Sequence, residues 1–173
     1  MRSFAVENAP AVPRHPVGPR PPRFAASSAA AQPAADYCTL LTKADVEAVL
    51  KTRITKVEPA PLKEIPSTTM HDQTCLYAAG SRVLRMTVTE TLSPAQAQGM
   101  FNIDLMGYAT VNGGKPTALP GIDDQAVMAS PRVVVLHKGK LVIDISVADF
   151  ADSDAERAAL AAALVAKAAD KIK

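Results

Sequence analysis

Few residues in this chain of 173 have the type and spacing to do chemistry, and two cysteines lead them. Cys38 opens the run Cys38-Thr39-Leu40-Leu41-Thr42, and Cys75 precedes Leu76 and Tyr77 in a strand-like stretch. The pair reads best as a disulfide, which would close a long loop and stabilise the fold by roughly 4 kcal/mol through chain entropy. Two inert buried thiols are the plainer alternative. A catalytic Cys75 is a third, and it would need a histidine base such as His71 close by.

Other candidates carry less. Asp149, Asp152, Asp154 and Glu156 faintly resemble a calcium loop, but no glycine makes the sharp turn such loops use. Those acids suit the positive end of a helix better. Asp123 and Asp124 follow a Pro120-Gly121 turn and could serve acid–base chemistry only if burial raised one pKa. His15, His71 and His137 lack metal-ligand spacing to one another or to the cysteines. No phosphate loop, dinucleotide fingerprint or nucleophile elbow is present, and no cofactor is expected.

The elements that must hold these residues are plain in places. Thr42 with Asp45, Ser93 with Pro94 and Gln96, and Ser153 with Glu156 are three helix-start signatures. The first helix carries Val46, Val49 and Leu50. The second is expected from Pro94 to about Tyr108, burying Ala97, Met100, Phe101 and Leu105. The third presents Leu160, Ala161, Leu164, Val165, Ala168 and Ile172 as one stripe, with Lys167, Lys171 and Lys173 at its negative end.

Leu84, Met86 and Val88 alternate with polar residues, as in a half-buried strand. Val133–Leu136 is continuously apolar. It is followed by a Lys138-Gly139-Lys140 turn and by Leu141, Ile143, Ile145 and Val147 alternating with Asp144 and Ser146, which makes a hairpin. Weaker strands are expected at 52–57, 73–78 and 125–129. The order α-β-β-β-α-β-β-β-α predicts an α+β domain over residues 36–173, an antiparallel sheet of about five or six strands packed against about three helices.

Residues 1–35 hold seven of the fourteen prolines and read as a disordered Pro/Ala-rich leader or linker. They also carry a net charge of +3, which leaves −1 for the rest and argues against a nucleic-acid surface. No stretch approaches the roughly 18 apolar residues of a membrane span. Arginines and a small-residue run at 24–31 suggest an export signal, yet prolines interrupt its apolar centre, so the signal reads as incomplete or the start as misassigned.

Taken in order along residues 36–173, four features resemble a family of small extracytoplasmic bacterial domains of unknown function, many of them predicted lipoproteins of actinobacteria. These are the Cys38–Leu50 run (CTLLTKADVEAVL), Cys75-Leu76-Tyr77, the segment 120–126 (PGIDDQA) and the hairpin through Gly139. The resemblance implies a Cys38–Cys75 disulfide, a helix-flanked antiparallel sheet and no established catalytic residue. This chain departs from the pattern in two ways. Ala35-Asp36-Tyr37 is not a lipoprotein processing site, and Lys51 stands where a glycine would often end the first helix.

The expected function is therefore a secreted or periplasmic, non-catalytic module that binds a small ligand or an envelope partner. Its surface is expected around Tyr108, Lys115, Asp123 and Asp124. One alternative is a small hydrolase or metal-assisted enzyme using Asp123, Asp124, His71 or His137. Another is a structural envelope spacer tethered by its N-terminal arm.

Overall fold

The computed structural model describes residues 36–65, 70–112, 115–119, 122 and 125–172, all within the compact unit Ala34–Lys173. The leader expected at 1–35 lies outside the described residues. A short 3-10 turn, Tyr37–Leu40, precedes helix α1 (Lys43–Leu50). Strands β1 (Lys56–Pro59), β2 (Lys63–Ile65), β3 (Met70–Ala79) and β4 (Arg82–Glu90) follow, then α2 (Pro94–Asn112). The second half repeats the pattern with β5 (Thr117–Ala118), β6 (Gln125–Ser130), β7 (Val133–Lys138), β8 (Leu141–Ser146) and α3 (Asp154–Ala169).

Every strand pairing is antiparallel, and the sheet runs β1-β3-β4-β8-β7-β6-β5. It is seven strands wide rather than five or six. An eighth strand, β2, lies in line with β1 along the same edge of β3. The extra strands are β2 and β5, of three and two residues, too short to show any period. The strand expected at 52–57 begins only at Lys56. Before it, the Ile54 N–H donates to the Glu47 carboxylate at 2.8 Å, which takes that donor out of strand pairing, and the Ile54 side chain is fully buried.

The helix starts form as the spacing predicts. Thr42 with Asp45 and Ser153 with Glu156 make reciprocal capping boxes. At α2 the Gln96 N–H donates to Ser93 Oγ, while Gln96 Oε1 accepts from the N–H of Leu92 rather than of Ser93. Helix α2 runs four residues past the expected Tyr108, to Asn112.

Helix α1 ends on Lys51 at φ 49°, ψ 31°, a left-handed conformation that strains a side chain with a Cβ. Lys51→Gly is expected to stabilise the domain by about 0.5–1 kcal/mol, seen as a higher urea midpoint with an unchanged slope.

Helices α1 and α3 pack on one face of the sheet and α2 on the other. The first face buries Tyr77, Leu84, Met86, Val134, Leu136, Ile143 and Ile145 against Val46, Leu50, Leu164 and Val165. The smaller second core joins Ala97 and Phe101 of α2 to Ala129, Val135 and Val142. Lys171 pairs with Asp45 and so links the end of α3 to the start of α1. Helix α2 lies mainly over β6, β7 and β8, and among the described residues no helix packs as closely on the same face of β3 and β4.

Candidate functional site

Cys38 and Cys75 form a disulfide with Cα atoms 5.6 Å apart, tying the 3-10 turn to β3. Polar contacts reinforce the tie. The Tyr37 N–H donates to Gln73 Oε1 at 2.7 Å, and the buried Tyr77 hydroxyl donates to the Leu41 carbonyl. With both cysteines bonded to each other, Cys75 has no thiol to act as a nucleophile.

The histidines do not converge. His71 shares a strand face with Cys75 and Tyr77, on the α1/α3 side, by the alternation of β3. His137 lies on the opposite side, its ring 5.9 Å from Phe101 of α2. Asp123 and Asp124 lie outside the described residues. At 149–156 the acids act as the helix start they resemble: Ser153 holds Glu156 below its ordinary pKa through hydrogen bonds, and Asp154 pairs with Arg157 at 2.6 Å. Among the described residues no group of three or more His, Cys, Asp or Glu side chains is placed to hold a metal ion.

Tyr108 and Lys115 occupy different hollows. Lys115 borders one of about 480 Å³ between β5–β6 and the first turn of α3, with Leu119, Met128, Asp154 and Ala158. Tyr108 lines a groove of about 530 Å³ beneath the C-terminal half of α2. The α2 wall is Ile103, Gly107 and Val111, spaced one helical turn apart, with Asp104 and Tyr108 on the adjacent stripe. The floor is Val133 and Ser146, which face each other across β7 and β8. Arg132 stands at the exposed rim. Ile103 is 68% exposed and Val111 83%, high values for apolar side chains on a helix that already buries another stripe.

An acidic group adjoins this groove that the sequence reading did not identify as a site. Asp144 lies two residues before Ser146, on the same face of β8. Asp104 comes from α2, and Asp72 from β3, where it accepts a 2.7 Å hydrogen bond from the Thr89 hydroxyl. Burial raises the Asp144 pKa to about 7, helped by the charges of Asp104 and Asp72 and opposed by a hydrogen bond from Tyr108. Asp144 Oδ1 is buried with no hydrogen-bond partner among the described residues. Burial also raises the Asp104 pKa, with Asp72 adding to it. The Tyr108 hydroxyl is pushed up to about 12 by burial and by Asp144 and Asp104, against the pull of Arg85.

The available signal was in β8. Val142, on the face read as polar, is buried, which places a cover over that end of the strand and puts Asp144 at the border of the cover. Helix α2 gave a second signal, because Ile103, Met106 and Val111 are apolar residues outside its core-facing stripe.

No protein-family model matches the chain, and no curated protein does. Among solved structures, it is similar in fold to the extracellular domain of PknH from Mycobacterium tuberculosis. That likeness has a TM-score of 0.51 at 12% identity and covers 81% of this chain and 99% of the other.

Proposed function

We propose that this is an extracytoplasmic, non-catalytic binding domain whose ligand sits in the groove between α2 and the sheet. The observation that carries the reading is the groove itself. It pairs apolar walls at Ile103, Val111 and Val133 with a few polar groups at Asp104, Tyr108 and Ser146, and its volume suits a small molecule. The disulfide supports a place outside the reducing cytoplasm, where such bonds persist. The fold likeness to an extracellular domain agrees with that placement. No helix among the described residues is long and apolar enough to cross a membrane.

Gly107 provides the test. A Cβ built there meets nothing within 4 Å, so a side chain can start from this point of the groove wall without a backbone clash. Gly107→Phe is expected to keep the native amide spectrum and to gain roughly 0.3–0.5 kcal/mol of helix stability, since glycine is a poor helix residue. Titrating labelled protein with small amphipathic fragments is expected to shift amides of Ile103–Val111, Val133 and Ser146 in the wild type. In the variant, binding should weaken at least tenfold. Fragments that bind elsewhere, or equally well to both proteins, would remove the groove as the site.

A further inference from the structure

We propose that two copies of this chain meet through the outer face of α2, helix against antiparallel helix about a two-fold axis. The contact shares Ile103 and Val111 with the groove but does not depend on what the groove binds.

Helix α2 runs 19 residues with a single charged side chain, the half-buried Asp104. Its solvent face is Gly99, Asn102, Ile103, Met106, Thr110 and Val111, with Met106 70% exposed. A helix open to water normally sets charged residues on that side. The other helices do so, with Lys43 exposed on α1 and Asp154, Glu156 and Lys167 on α3. In a two-fold contact a patch meets its own copy, so a charge near the axis would face itself. The face of α2 carries none and is compatible with itself. Its polar groups are also satisfied within the helix. Gln98 donates to Asn102 at 3.2 Å and the Thr110 hydroxyl to the Met106 carbonyl at 2.8 Å, so covering them costs little. The row Gly99, Ile103, Gly107, Val111 alternates small and large side chains, a form that interdigitates with its own copy running the other way.

The flank of this face is complementary in charge. Asp104 and Arg132 both line the groove beside the ridge, and among the described residues neither joins an ion pair. A two-fold contact that brings Arg132 to the second copy's Asp104 makes that pair twice. Further along the sheet, Arg85 lies across from Ser146 and Lys63 across from Asp72. These bases offset Asp72 and Asp144, so the flank has no excess of one sign to repel its copy. A helix of this length spans about 28 Å, which puts the contact in the weak class below about 1,200 Å² in total. Association is therefore expected at high protein concentration and not at low.

Sedimentation velocity from low micromolar to millimolar concentration tests this, with amide spectra recorded over the same series. The wild type is expected to pass from monomer towards dimer, with concentration-dependent shifts confined to Ala95–Val111 and Arg132. Gly99→Lys and Met106→Lys put a charge on the ridge, and neither residue lines the groove. Each should weaken association by at least about tenfold. Their urea midpoints should be no lower than the wild type's, because both positions are exposed and a Cβ at Gly99 meets nothing within 4 Å. A wild type that stays monomeric at millimolar concentration would overturn the proposal. Association that both variants retain would also overturn it, by placing the contact on another face. Monomers that float with phosphatidylcholine vesicles would overturn it in favour of a lipid surface. Each of these outcomes leaves the groove to be decided by the fragment titration alone.

Discussion

Replacing Cys38 and Cys75 together by alanine is expected to lower the unfolding free energy by about 4 kcal/mol, the chain-entropy value for a loop of this span. For a domain of this size the melting temperature should fall by roughly 12 °C. The loss acts mainly on the unfolded chain, because the disulfide holds the 3-10 turn against β3 before the sheet forms. Denaturant titration of the oxidised protein and the double variant measures it directly. A difference below about 1 kcal/mol would mean that the Gln73 and Tyr77 hydrogen bonds to this turn already fix it. The groove lies on the opposite face from Cys75, so fragment binding should survive in the variant.

Asp144→Asn is expected to stabilise the domain, and to do so more at high pH than at low. Asp144 has its folded pKa raised to about 7 from an ordinary value of 3.8. Between those values the native state keeps a proton that the unfolded state releases. Wild-type stability is therefore fullest below pH 4 and is lost as pH rises towards 7. Asparagine carries no such charge and can still accept from Tyr108. The variant should match the wild type near pH 4 and exceed it by on the order of 4 kcal/mol at pH 8. Urea titrations at pH 4, 6 and 8 follow the divergence. A variant less stable than the wild type at pH 8 would mean that the charged form has a partner in the native state.

Both predictions concern residues that were unequally legible in the sequence. Cys38 and Cys75 stood out by type alone. The helix starts at Thr42 and Ser153 were legible because a capping box is a local pattern, complete within four residues. The cover on the sheet was half legible. The unbroken Val133–Leu136 run is what a strand buried on both faces requires, and α2 does lie over β7. The clean alternation of Leu84, Met86 and Val88 marks β4 as half-buried, and its other face is exposed at Val83 and Arg85 but closed at Thr89.

What stayed hidden was long-range. The two- and three-residue strands β5 and β2 exist because a neighbouring strand offers an edge, which leaves no periodic trace. Asp72, Asp104 and Asp144 come from three elements far apart in the chain. Only the register of β3, β4 and β8 and the placement of α2 bring them together. Tyr108 was found as a surface residue, but its partner Asp144 read as one more polar position on an alternating strand.

The joint between β4 and β8 also governs how the domain can form. No turn connects these strands; residues 91–140 intervene between Glu90 and its partner Leu141. When the chain emerges N-terminus first, β4 has one neighbour and an open edge until β8 arrives, after all of α2 and β5–β7. Closing so distant a pairing is slow, and an unpaired edge is the part of a nascent sheet most open to pairing with another molecule. The β4–β8 pairing thus joins the two halves of the chain in one sheet despite their repeated pattern. A chain stopped before β8 would leave the edge of β4 open to β8 from a second copy.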